Sequence, residues 1–98
     1  MKRAVLVIQT EGEEVRTHVL EAEETLIGRS GRSDVRLNDT GASREHALIT
    51  WEEDHYAVED LQSTNGTRVN GRRIRSSPLQ GNDSIALGRT RIVFRLED

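Results

Sequence analysis

The sequence contains no cysteine, so neither a disulfide framework nor a thiolate metal site holds it together. It has one proline and three aromatic residues, Trp51, Tyr56 and Phe94, which leaves Val, Leu and Ile to fill the interior. Long apolar runs are missing too. Ala4 to Ile8 follows Met1, Lys2 and Arg3 in the manner of a signal peptide, but the polar stretch Gln9 to Glu14 ends it. A secretory core needs about seven or more apolar residues and a membrane helix about twenty. These absences argue against export and membrane insertion, and the expected location is cytoplasmic. At 98 residues, the whole of residues 1–98 is expected to form one domain.

The net charge of −3 weighs against a general nucleic-acid binder. Its distribution says more. Residues 45–61 carry six acids and no Lys or Arg, whereas residues 62–75 carry Arg68, Arg72, Arg73 and Arg75 with no acid. Residues 28–44 add Arg29, Arg32, Arg36 and Arg44 against Asp34 and Asp39. Positive charge therefore collects in the segments richest in Gly, Ser and Asn, which are loops. No aromatic residue is interleaved with these arginines, so single-stranded nucleic acid has no stacking platform there.

Short strand signals recur between turn clusters. Ala4–Gln9 is a β-branched run, and 46–51, 55–60, 84–87 and 90–96 alternate or nearly so, with Ile92, Phe94 and Leu96 set against Arg91, Val93 and Arg95. Many short strands separated by turns predict an all-β antiparallel sandwich or barrel. Residues 15–27 are ambiguous: Val15, Val19, Ala22 and Leu26 have helical spacing, while Val15, Thr17 and Val19 equally suit a strand.

Several stretches invite chemistry. Gly28 and Gly31 could turn backbone N–H groups toward a phosphate, yet they match neither the dinucleotide fingerprint nor the P-loop. Ser43 and His46 suggest a nucleophile and its base; were a strand to begin at Ser43, a separation of three would put them on opposite faces. His18, His46 and His55 lack metal-site spacing. The segment "QSTNGTRVNG", Gln62 to Gly71, holds two Asn-Gly pairs, the strongest short hairpin signal because both residues tolerate positive φ. Together, three loops offer Arg29, then Ser43 and Arg44, then Thr64 and Asn65. Guanidinium forks and hydroxyls suit a doubly charged tetrahedral anion, and an Asn amide suits a peptide main chain.

The ordered set Gly28-Arg29, Ser43-Arg44-Glu45-His46, Asp60 to Thr67, Val69-Asn70-Gly71 and Leu87-Gly88 resembles a forkhead-associated (FHA) domain across nearly the whole chain. The resemblance implies a β-sandwich of about eleven short strands with its ligand loops at one end, and it resolves residues 15–27 as strands. It further implies a non-catalytic module that binds threonine-phosphorylated protein, with no cofactor and no metal, nucleic acid or membrane as partner. By position, Arg29 would contact phosphate or brace the loops that do. Ser43 and Arg44 would meet phosphate oxygens, Thr64 would support the phosphothreonine pocket, and Asn65 would bond the peptide backbone. Gly28, His46 and Gly66 would shape the loops, and Asn70 would brace its own turn. The short side chains of Thr40, Gly41 and Ala42 leave sequence preference to Arg68 or the Arg72-Arg73 pair. The remaining alternative is a phosphate-independent interaction or oligomerisation domain on the same fold.

Overall fold

Alternating apolar side chains, cut at short intervals by turns, produce eleven strands and no helix in the computed structural model, which describes residues 3–98. Met1 and Lys2, which the sequence reading included in the domain and in the signal-like start, lie outside the described residues. The strands are β1 (Arg3–Thr10), β2 (Arg16–Leu20), β3 (Glu24–Gly28), β4 (Val35–Arg36), β5 (Ala47–Trp51) and β6 (Tyr56–Asp60). They continue with β7 (Thr67–Val69), β8 (Arg72–Ile74), β9 (Ser76–Pro78), β10 (Ser84–Leu87) and β11 (Thr90–Glu97). One sheet runs β2-β1-β11-β10-β7-β8 and the other β4-β3-β5-β6-β9. Pairing is antiparallel throughout except for β3 with β4, where Ile27 sits opposite Val35 in parallel. Residues 16–20 and 24–28 are strands, so the helical spacing there has no structural counterpart.

The two sheets enclose Leu6, Ile8, Ile27, Leu37, Ile49, Val58, Ile85, Ile92 and Phe94, all essentially inaccessible to water. Burying each side chain of this kind contributes about 1.5–3 kcal/mol before chain entropy is subtracted. Alternation holds in β11 for Ile92 and Phe94 but fails at Leu96, which remains 44% exposed.

The register sorts the connections into two ends. Thr10 faces Thr90, Leu87 also faces Thr90, and Ala47 faces both Ile27 and Asp60. The loops between β3 and β5, after β6, and between β10 and β11 therefore share one end. At the other end Arg3 faces Glu97, Ala4 faces Leu20, Glu24 faces Thr50, and Trp51 faces Tyr56.

The two Asn-Gly pairs part company. Asn70 (φ 51°) and Gly71 (φ 88°) form a two-residue hairpin loop that brings Val69 opposite Arg72. In the other pair only Gly66 has positive φ, and it ends a wider loop from β6 rather than a hairpin. Asn70 does not brace its own turn: its side chain receives the Ser84 N–H and donates to Asp83, both at 2.9 Å. At the Gly81-Asn82-Asp83 turn before β10, Asn82 takes the left-handed conformation (φ 74°).

Candidate functional site

The loop that follows β3 is zipped to the segment before β5 by backbone bonds. Arg29 N–H donates to Ser43 O at 3.1 Å and Ser30 N–H to Arg44 O at 2.9 Å. The chains approach so closely that a Cβ on Gly28 would lie 2.2 Å from the Arg44 carbonyl oxygen. Space, not backbone angle, requires glycine here. Arg29 adds a side-chain tie, its Nε donating to Ala42 O at 2.6 Å.

His46 is completely buried and joins this segment to the loop after β6. Its Nδ1 accepts the Ser43 N–H at 2.9 Å, so the ring proton sits on Nε2 and is donated to Gly66 O, also at 2.9 Å. β5 begins at Ala47, so the strand alternation considered for Ser43 and His46 does not apply. The two residues do meet, but through the Ser43 backbone. Both ring nitrogens are occupied, leaving no base for the Ser43 hydroxyl.

Asp60 organises the third loop. Its carboxylate accepts Ser63 N–H at 3.1 Å and Thr67 Oγ1 at 2.7 Å, together with the Ser63 hydroxyl, and Ser63 Oγ accepts Gly66 N–H at 2.9 Å. Burial raises the Asp60 carboxyl, but the hydrogen bonds from Ser63 and Thr67 outweigh it and hold the group below the ordinary carboxylate range.

Asp39 went unassigned in the sequence, yet it ties the loops to the sheet. At 4% exposure it accepts Gly41 N–H (2.9 Å), Arg89 N–H (2.7 Å) and Thr90 Oγ1 (2.7 Å). Because Thr90 spends its proton on Asp39, the 2.9 Å contact with Thr10 must be donated by Thr10. Burial again raises this carboxyl, and bonds from Thr90, Arg89 and Gly41, with the Arg89 charge, bring it below its ordinary value. Gly88 and Gly41 complete the clamp, since a Cβ on Gly88 would fall 2.7 Å from an Asp39 oxygen.

These ties bring Arg29, Ser43, Arg44, Thr64 and Asn65 around one open trough that Thr40, Gly41 and Ala42 also line. Each group retains bonding capacity. Ser43 Oγ accepts Thr64 N–H at 3.1 Å, which leaves its own proton to donate. Asn65 donates one amide proton to Gly41 O at 2.9 Å, so its carbonyl and second proton stay available. Arg44 is exposed beside them. Arg68 lines a neighbouring shallow trough with Asn65, Gly66 and Arg89, and the Arg73 guanidinium lies over Gly66. Arg72 belongs to the Asn70-Gly71 hairpin at the distal side of β8 and does not join the cluster. Among the described residues no group of three or more His, Asp or Glu could hold a metal ion, and no helix is long and apolar enough to cross a membrane.

The family model described as FHA domain matches residues 25–88. The FHA domain-containing protein FhaA of Mycobacterium tuberculosis is 40% identical over 81 residues, covering 83% of this chain and 15% of that protein. An oxoglutarate dehydrogenase inhibitor of Corynebacterium jeikeium is 42% identical over 76 residues, covering 78% of this chain and 53% of the inhibitor. The chain thus spans about half or less of these relatives. A solved structure from an analysis of phosphothreonine-dependent FHA domain interactions superposes with a TM-score of 0.88 at 35% identity, covering 98% of both chains.

Proposed function

This chain belongs to the forkhead-associated domain family, and from that premise we propose that residues 1–98 act as one phosphothreonine-dependent protein-interaction module. The observation that carries the reading is the convergence of Arg29, Ser43, Arg44, Thr64 and Asn65, from three separate loops, on a single trough. A phosphothreonine brings about −1.5 to −2 charge and three acceptor oxygens at neutral pH. Arg29, held through Nε, presents its terminal nitrogens to that phosphate. Ser43 donates its free proton, and Arg44 supplies a second guanidinium. Thr64 walls the phosphothreonine pocket. Asn65, fixed by Gly41, offers an acceptor and a donor to the peptide main chain. Gly28, His46 and Gly66 act at one remove by setting loop positions.

The module is non-catalytic and works in the cytoplasm, downstream of a threonine kinase. Its Ser43 has no base to activate it, and tight phosphate binding without turnover needs none. The overall negative charge does not oppose the ligand strongly, because ions screen exposed charges beyond roughly 8–10 Å.

The test is binding of the purified domain to degenerate peptide libraries carrying phosphothreonine, phosphoserine or unmodified threonine. Selective capture of phosphothreonine peptides is expected. A charge-assisted hydrogen bond is worth about 1.5–3 kcal/mol, so Ser43→Ala and Arg29→Ala should each weaken binding by roughly ten- to a hundredfold. Their thermal midpoints, read alongside, keep loss of binding separate from loss of fold. Equal affinity for phosphorylated and unmodified peptides, or capture that survives phosphatase treatment, would move the assignment to a phosphate-independent interaction domain.

A further inference from the structure

The end of the sandwich opposite the loops holds a groove of about 520 Å³, within the roughly 300–1,000 Å³ typical of ligand pockets. All three aromatic residues of the chain meet there. Trp51 packs edge-on to Tyr56 with ring centroids 4.9 Å apart, and Tyr56 packs the same way on Phe94 at 5.8 Å. Phe94 belongs to the core, but Trp51 is 42% exposed, and Leu96 on the same groove is 44% exposed. Two of the three large apolar residues exposed among the described residues therefore share one concavity. Core packing does not account for Trp51, which adds an exposed indole to a protein nearly devoid of aromatics.

Acidic side chains outnumber basic ones at the rim. Glu21, Glu23 and Asp54 line it, and the adjoining turn carries Glu52 and Glu53. Arg3, the one Lys or Arg side chain lining the groove among the described residues, lies 3.8 Å from Glu97, and His55 Nδ1 contacts Asp54 at 2.6 Å. An indole face open to water beside uncompensated carboxylates attracts an ammonium or guanidinium group with an aliphatic stem. Tryptophan in a concave apolar site is also the residue type that most often dominates interface energetics.

We propose that this groove is a second docking site, which takes a segment of a partner protein that pairs Lys or Arg with a large apolar side chain and carries no phosphate. The apolar side chain lies against Leu96 and Tyr56, and the cation lies over Trp51 between Glu23 and Asp54. The site is spatially separate from the loop trough, so one domain engages a phosphorylated and a basic segment at the same time.

The experiment titrates the isotopically labelled domain with a pool of capped pentapeptides combining Lys or Arg with Leu or Phe, and follows backbone amide shifts. Saturable shifts at residues 20–23 and 51–56, with the loop residues 29, 43 and 64–65 unmoved, are the expected result. Trp51→Ala should weaken the binding at least about tenfold, and the exposed-charge variant Glu23→Lys with Asp54→Lys should do the same without touching an apolar contact. Peptides with Ser in place of Leu or Phe should lose at least about tenfold. Equal binding of those Ser peptides would reduce the effect to a diffuse charge attraction and overturn the proposal. So would the absence of groove shifts at millimolar peptide, or concentration-dependent self-association abolished by Trp51→Ala, which would assign the groove to a second copy of the chain.

Discussion

The two ends of this sandwich are built from opposite materials. The loop end is basic and free of aromatics, and its order comes from polar groups held beneath the loops: His46 and Asp39 each join partners drawn from different segments, and Asp60 ties its own loop together through Ser63 and Thr67. The far end is acidic at its rim and is held by rings and aliphatic side chains packed between β5, β6 and β11. A ligand rich in acceptors needs donors that are exposed yet fixed, and apolar packing cannot fix them without covering them. Side-chain bonds to backbone can, because they anchor a loop from below and leave its upper face wet. Apolar cohesion, by contrast, leaves surface that is sticky rather than directional.

The contrast can be broken most severely at Gly28. Gly28→Ala drives a methyl group into the Arg44 carbonyl, and a backbone atom cannot swing aside as a side-chain tip can. A loss of about 3 kcal/mol or more is expected in denaturant unfolding. A variant as stable as the parent would show that the loop end is pliable after all.

Acid should separate the two ends next. Asp39 and Asp60 are both held below the ordinary carboxylate value of 3.8 in the folded protein. Groups shifted down contribute stability that is complete above the unfolded value and is lost as pH falls through the folded one. Stability from these two carboxylates should therefore be constant from neutrality to about pH 5 and decline below about pH 4. Amide protection should fail first at Gly41, Ser63 and Arg89, whose N–H groups they accept. Simultaneous loss at the centre of the β1–β11 ladder would mean that the loop end has no separate acid sensitivity. The smallest effect belongs to Trp51→Ala. With its indole already half in water, the change in unfolding free energy should stay within about 1 kcal/mol, far below the 3–5 typical of a buried aromatic. A cost in that higher range would make Trp51 a structural residue and not a surface one.

How far the sequence revealed this depends on the distance over which each signal acts. Strands such as β11 were legible because Ile92 and Phe94 recur at a spacing of two between Arg91 and Arg95 within a single segment. Strands β4, β7, β8 and β9 have two or three residues each, too few to show a period; β4, β7 and β9 form against longer neighbours, and β8 folds back on β7 through the Asn70-Gly71 turn. The loop cluster was legible only as a pattern of separated motifs resembling a family, since nothing local says that residues 29, 43 and 65 meet. Asp39 was illegible for the same reason: its decisive partners, Arg89 and Thr90, lie about fifty positions away. The two Asn-Gly pairs look identical in sequence, and only the register of the flanking strands makes one a hairpin and the other a loop terminus. The aromatic row escaped notice because Phe94 is far in sequence from Trp51 and Tyr56.

The pairing of β1 with β11 has a mechanical consequence. Arg3 lies opposite Glu97 and Thr10 opposite Thr90, so the outer ends of the first and last strands leave the ladder side by side. Tension applied through those ends loads the antiparallel ladder as a zipper, one register pair at a time, and not in shear, where all pairs would resist together. Rupture therefore begins at the aromatic end and travels toward the hydroxyl contact of Thr10 with Thr90 and its anchor on Asp39. Under a pulling force, the loops around the trough are the last part of that ladder's surroundings to feel the strain.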